Sequence, residues 1–263
     1  MIEELNKEPE EFELKYIIDE HNTEELDKET FINKIISIFK TNGFKIVSIT
    51  EKQNNDEYYD TRDLGLYKNG GSLRIRKVEQ KGKEKIKATC KMPLEKGEIY
   101  SSRSEIEETL EDDSFVEFMQ KMICSKANVN FDDILRFPIL NSCTKRKDIV
   151  LDKNGVQVCL SFDTIRYTNH ILNDVTTTDK MIEIEVIGEL NNRIILNEIH
   201  EFIASSFNGL EANKQSKYER GVNRTLQLHN ILEENQSMED YSLISTCSSL
   251  SNPDVLVKKL KHI

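Results

Sequence analysis

Apolar and charged residues alternate along Glu11-Phe12-Glu13-Leu14-Lys15 near the start of the chain. In a β-strand, whose side chains point to opposite faces in turn, Glu11, Glu13 and Lys15 share one surface while Phe12, Leu14 and Tyr16 pack on the other. The pattern recurs. Arg74 and Arg76 flank Ile75, Lys87, Thr89 and Lys91 flank Ala88 and Cys90, Arg103, Glu105 and Glu107 follow, and Glu183 and Glu185 bracket Ile184. Several strands therefore carry a charged face with both signs present, and that face is expected to be the working surface.

The same pattern predicts the elements. Strands are expected over Glu10 to Ile18, Phe44 to Lys52, Ser72 to Val78, Glu84 to Met92, Ser101 to Leu110, Ile139 to Leu151, Val156 to Thr164 and Met181 to Ile187, with a short extended piece at Tyr58-Tyr59-Asp60-Thr61. Pro93 is expected to stop the fourth of these strands. Asn154-Gly155 between two β-rich runs predicts a tight hairpin. Phe31, Ile32, Ile35, Ile36 and Phe39 fall at helical spacing and predict a helix from Lys28 to Lys40, ended by Gly43. Asp112-Asp113-Ser114 caps a second helix through Ile123, and Arg193 to Phe207 reads as a third, stopped by Asn208-Gly209. Antiparallel strands with one apolar and one charged face form either an open sheet or a closed barrel with the charges inside.

At 263 residues the chain can bury a core, and the organisation favours one domain over residues 1–225, with a tail over 226–263 that is helical or partly disordered. No apolar run approaches the length of a membrane span, and Met1-Ile2-Glu3-Glu4 is acidic where a secretory signal is basic, which predicts a cytoplasmic protein. Cysteines at 90, 124, 143, 159 and 247 show no zinc spacing, and the five histidines no cluster. The net charge of -11 argues against nucleic acid or an anionic membrane as partner. A small polyanion remains compatible, held by a local basic cluster or by metal ions on carboxylates; a homodimer is the assembly considered.

Taken singly, an E-x-E-x-K string is a solvated strand face more often than a site. Its company changes that. Glu11-x-Glu13-x-Lys15, Tyr58-Tyr59-Asp60-Thr61, Leu73-Arg74-x-Arg76, Thr89-x-Lys91-x-Pro93, Arg103-x-Glu105-x-Glu107, Arg146, Asp163, Glu183-x-Glu185 and Ser216-Lys217 occur in order, and together resemble the CYTH superfamily of triphosphate tunnel metalloenzymes. The resemblance spans roughly residues 10 to 222. It implies an α+β fold, an eight-stranded antiparallel β-barrel or tunnel with helices packed outside, that binds a triphosphate with Mg2+ or Mn2+.

The activity so implied is metal-dependent hydrolysis of inorganic triphosphate or a simple organic triphosphate such as thiamine triphosphate. The alternatives are an adenylate cyclase that forms cyclic AMP and pyrophosphate from ATP, and a non-catalytic polyphosphate- or nucleotide-binding module. By the resemblance, Lys15, Arg74, Arg76, Lys87, Lys91, Arg146 and Lys217 bind the small-molecule triphosphate, and Glu11, Glu13, Glu107, Asp163, Glu183 and Glu185 hold the metal. Glu13, Glu105 and Lys15 are the expected catalytic residues. Thr144 stands where the family often has a basic residue two before Arg146, and Lys145 and Lys147, of opposite parity, are expected to be peripheral. Arg103 is as readily a rim residue, Tyr58 and Tyr59 are core or rim aromatics, Arg220 is either a surface ion pair or a phosphate ligand, and His200 belongs to a helix's buried side.

Overall fold

Alternation selects the strands, and pairing sets how far each one runs. The computed structural model describes residues 10–18, 28–80, 83–96, 101–110, 129, 133–188, 192–207 and 210–240. In chain order these form β1 (Glu10–Ile18), α1 (Lys28–Thr41), β2 (Lys45–Tyr59), α2 (Gly65–Lys68), β3 (Ser72–Gln80), β4 (Lys83–Lys96), β5 (Ser101–Leu110), β6 (Leu140–Lys153), β7 (Val156–Asn169), β8 (Val175–Ile187), α3 (Asn192–Ser206), β9 (Leu210–Ala212) and α4 (Lys217–Asp240). The helix expected over 112–123 lies outside the described residues.

The strands follow the order β5-β4-β3-β2-β6-β7-β8-β1, with the short β9 added beside β1. β1 also pairs with β5, Glu10 to Glu13 against Ser104 to Ser101, so the ends of the eight-strand series meet around a tunnel. All these neighbours are antiparallel. The fold is thus α+β, as expected. The hairpin between β6 and β7 turns on Asn154 and Gly155, both at positive φ (56° and 85°), the backbone that Asn-Gly supplies at low cost.

Two boundaries differ from expectation for physical reasons. β2 does not end at Lys52, because its pairing with β6 continues through polar Gln53 to Asp56 as far as Tyr58, and the ladder outweighs weak β propensity. Pro93 does not stop β4: it sits opposite Arg103, next to a register shift between Pro93 and Glu95, where a residue without an N–H is tolerated. α4 runs through Leu226 to Asp240 without a break.

Apolar residues of β1, β6, β7 and β8 face outward and are covered by α1 and α3. Leu14, Ile149, Leu160 and Ile184 meet Phe31, Ile35, Phe39, Ile199 and Phe202 in one core, with edge-to-face ring pairs such as Phe39 on Phe202 at 5.1 Å. Each such fully buried side chain contributes about 1.5–3 kcal/mol. A second core lies beneath α4. There Ile17, Ile165, Tyr167 and Met181, on the same strand faces as Lys15, Asp163 and Glu183, pack with Tyr218, Val222 and Leu226. The tunnel's inner face therefore changes from charged to apolar where α4 abuts it. Gly221 permits this approach, since a Cβ there would lie 2.5 Å from Leu140 Cδ2 and 2.6 Å from the Tyr167 ring. No helix among the described residues is long and apolar enough to cross a membrane.

Candidate functional site

Ten of the residues singled out from the sequence converge on one cavity of about 280 Å³: Glu13, Lys15, Arg74, Arg76, Lys91, Glu105, Arg146, Glu183, Glu185 and Lys217. Strand register explains the convergence. Glu13 stands opposite Glu185 and Lys15 opposite Glu183, Lys91 opposite Glu105, and Arg146 opposite Asp163, so alternate residues of neighbouring strands meet on the inner face. Lys217 arrives from another element. A capping box starts α4, in which the Ser216 hydroxyl accepts the Glu219 N–H (3.0 Å) while the Glu219 carboxylate accepts the Ser216 N–H (2.7 Å), and this sets Lys217 in the first helical turn.

The buried charges are interlocked. Arg146 forks onto Asp163, with Nε to Oδ1 at 2.6 Å, and also donates to Glu183. Lys217 Nζ lies 2.7 Å from Glu183 and 2.9 Å from Asp163. Lys15 pairs with Glu13, Arg76 with Asp56 through two bonds of 2.5 and 2.8 Å, and Lys91 with Glu105 at 3.0 Å. Arg74 donates to Thr89 Oγ1 at 2.9 Å, but its buried Nε finds no partner among the described residues.

Ionisation follows these contacts. Burial opposes the charge on Glu13, yet Lys15, with Lys91 and Arg103 behind it, outweighs that and holds its carboxyl at about 2. Burial likewise opposes the charge on Glu183, and Lys217 and Arg146 hold it well below the usual range. Glu185 moves the other way. Burial raises it, and the nearby charges of Glu13, Glu105 and Glu183 add to the rise. Lys217 is raised, because Asp163 and Glu183 overcome burial and the repulsion of Arg146.

Three expected residues fall elsewhere. Lys87 and Glu107 pair with each other at 2.5 Å, both more than a third exposed as residues or side chains, and neither lines the cavity. Asp163 has 0% side-chain exposure behind Arg146 and Lys217, which makes it their counter-ion. Glu11's side chain lies outside the described residues. Conversely, Ser72 and Ser161 line the cavity unforeseen, and Thr89 and Ser216, quoted from the sequence without a role, line it as well; for Ser72 and Ser161 inward strand parity was the available signal, hidden because small polar residues are common everywhere. Arg103 also lines it, anchored by the Lys214 carbonyl at 3.1 Å and 3.7 Å from Glu219.

Arg220, His200, Thr144 and Lys147 do not line the cavity. Arg220 is fixed on Asp179, with its Nη2 at 3.0 Å, and His200 bonds the Tyr16 hydroxyl at 2.8 Å. Thr144 points inward and is buried, and its hydroxyl finds no partner among the described residues. Lys147 reaches Glu29 and Glu51 on the outside, as its parity predicts.

Carboxylate oxygens are the donors that hard divalent cations prefer. Among the described residues no group of three or more metal-ligating side chains stands close enough to hold an ion as arranged. The donor set nonetheless fits one. Glu13 and Glu185 are direct cross-strand neighbours, and the repulsion of Glu185 by three carboxylates is what a bound cation relieves.

No curated protein matches the sequence. Among solved structures the fold is similar to a putative adenylate cyclase from Bacillus halodurans (19% identity, TM-score 0.47, covering 80% of this chain and 96% of that one). It is also similar to the putative adenylyl cyclase HpAC1 from Hippeastrum, described as having a dominant triphosphatase activity (16%, 0.45, 79% and 93%), and to PH1819 from Pyrococcus horikoshii (18%, 0.45, 86% and 99%). The model of the CYTH domain matches residues 9–202, which hold β1 to β8 and most of α3, and the chain therefore belongs to the CYTH domain family.

Proposed function

We propose that the chain binds a linear triphosphate inside the tunnel and hydrolyses its terminal phosphoanhydride bond with the help of a divalent cation. One observation carries this reading: seven basic side chains, Lys15, Arg74, Arg76, Lys91, Arg103, Arg146 and Lys217, line a cavity of about 280 Å³ in a chain of net charge -11. Such a concentration of cations matches an oligoanion, with arginines as two-pronged donors and lysines as point charges. The Arg74 Nε, unpaired among the described residues, supports it as a donor lacking the acceptor that a phosphate oxygen supplies.

Glu13, Glu183 and Glu185 would hold the cation, with Glu105 beside them. Bound there, Mg2+ or Mn2+ supplies charge neutralisation and lowers the pKa of a coordinated water. The chain's own groups do the rest. Lys217 and Arg146 stabilise charge gathering on the phosphoryl oxygens, while the protein walls exclude bulk water. A water oxygen bonds to the terminal phosphorus as the bridging P–O bond breaks, releasing orthophosphate and diphosphate. Glu13, held low by Lys15, suits cation binding better than proton transfer. That leaves Glu105, 3.0 Å from Lys91, to take the proton.

Phosphate release measured over inorganic triphosphate, ATP, thiamine triphosphate and long-chain polyphosphate, each with Mg2+ or Mn2+, tests the reading. Turnover of triphosphate, abolished in Glu105→Gln, is expected. Cyclic AMP from ATP would assign a cyclase, and tight triphosphate binding without turnover a binding module.

A further inference from the structure

The Asp60 carboxylate is fully buried and does not line the cavity. Its Oδ1 accepts the N–H groups of Thr61 (2.7 Å) and Leu66 (2.8 Å), and so anchors the start of α2. Its Oδ2 accepts the Tyr67 N–H (2.9 Å) and one more bond, from the hydroxyl of Tyr218 at 2.8 Å. Tyr218 lies in the first turn of α4, its ring stacked on Tyr58 at 5.4 Å. The preceding residue is Lys217, whose Nζ reaches Glu183 and Asp163 in the tunnel. A rigid backbone turn is thus tied on one side to Asp60 and on the other to the charged cavity.

We propose that Asp60 is a positioning residue: through the Tyr218 hydroxyl it fixes the first turn of α4 and thereby the point to which Lys217 delivers its charge. This rests on the reading of the tunnel as a triphosphate site. Asp60 acts at a distance, since the bond it accepts from Tyr218 joins the loop after β2 to the start of α4, 158 positions apart. Deleting that one bond leaves the Tyr58 stack and the capping box in place.

Calorimetric titration with inorganic triphosphate of the parent chain, Tyr218→Phe, Lys217→Ala and the double variant tests the inference. Tyr218→Phe is expected to weaken binding roughly tenfold, the size of one hydrogen bond to a charged group. In the Lys217→Ala background the same change is expected to matter by less than about twofold, because the positioned group is gone. A merely structural role would leave the two effects multiplying. Asp60→Asn, which turns one acceptor oxygen into a donor while keeping the shape, is expected to repeat the non-additivity. Independent effects, or a Tyr218→Phe affinity within about twofold of the parent, would overturn the inference. If Lys217→Ala alone leaves affinity unchanged, the triphosphate reading itself fails first.

Discussion

Asp163→Asn separates a counter-ion from a metal ligand. Asp163 is enclosed by Arg146, 2.6 Å from Nε, and by Lys217 at 2.9 Å. Removing one partner of a buried pair costs about 3–5 kcal/mol. Asparagine keeps the shape and one acceptor, and Glu183 still holds both cations, so the lower end, about 3 kcal/mol, applies. For a chain of this size that lowers the melting temperature by roughly 6–12 °C. The freed positive charge has a second consequence: inorganic triphosphate without metal should bind more tightly than to the parent, and at 100 times its Kd it returns about 2.7 kcal/mol. Thermal denaturation followed by circular dichroism, with and without triphosphate, reads both effects. A melting temperature within about 2 °C of the parent would refute the reasoning. So would weaker triphosphate binding once Mg2+ is added, the outcome expected of a lost metal ligand.

Gly221→Ala gains about 1 kcal/mol of helix propensity but places a Cβ against Leu140 and Tyr167, and overpacking at about 1–3 kcal/mol or more should win. Urea denaturation is expected to show net destabilisation; an unchanged midpoint would show that α4 does not sit so close. The low Glu13 carboxyl stabilises the fold fully above its ordinary value of 4.5, and that stability is lost as pH falls towards about 2. Unfolding midpoints at successively lower pH should therefore drop, less steeply in Glu13→Gln, and identical slopes would contradict this. Lys87→Ala removes only an exposed pair with Glu107 and should alter stability by under about 1 kcal/mol, with triphosphate affinity unchanged by titration; a large loss of affinity would place Lys87 in the site.

Parity made much of the tunnel legible. Glu13, Lys15, Arg74, Arg76, Lys91 and Glu105 meet because alternate residues on paired strands must share a face, whatever the loops do. Asn154-Gly155 marked its turn for an equally local reason. Parity could not say which inward charges meet ligand and which meet each other. Asp163 and Glu107 have the right parity, but their depth along the tunnel pairs them with Arg146 and Lys87, and depth depends on register across strands far apart in sequence. The Tyr58-Tyr59-Asp60-Thr61 string was visible without its purpose, since Asp60 closes a bond to Tyr218, which no local pattern announces. The polar half of β2 was lost because neighbouring β6, not its own composition, holds it extended.

The central claim is tested most directly by titrating inorganic triphosphate into the parent chain, where the Arg74 Nε is buried in the cavity wall and unpaired among the described residues, and into Arg74→Ala. A single saturable site is expected, weakened at least roughly tenfold by the loss of one two-pronged donor. No saturable binding to the parent, or equal binding to both chains, would contradict the account.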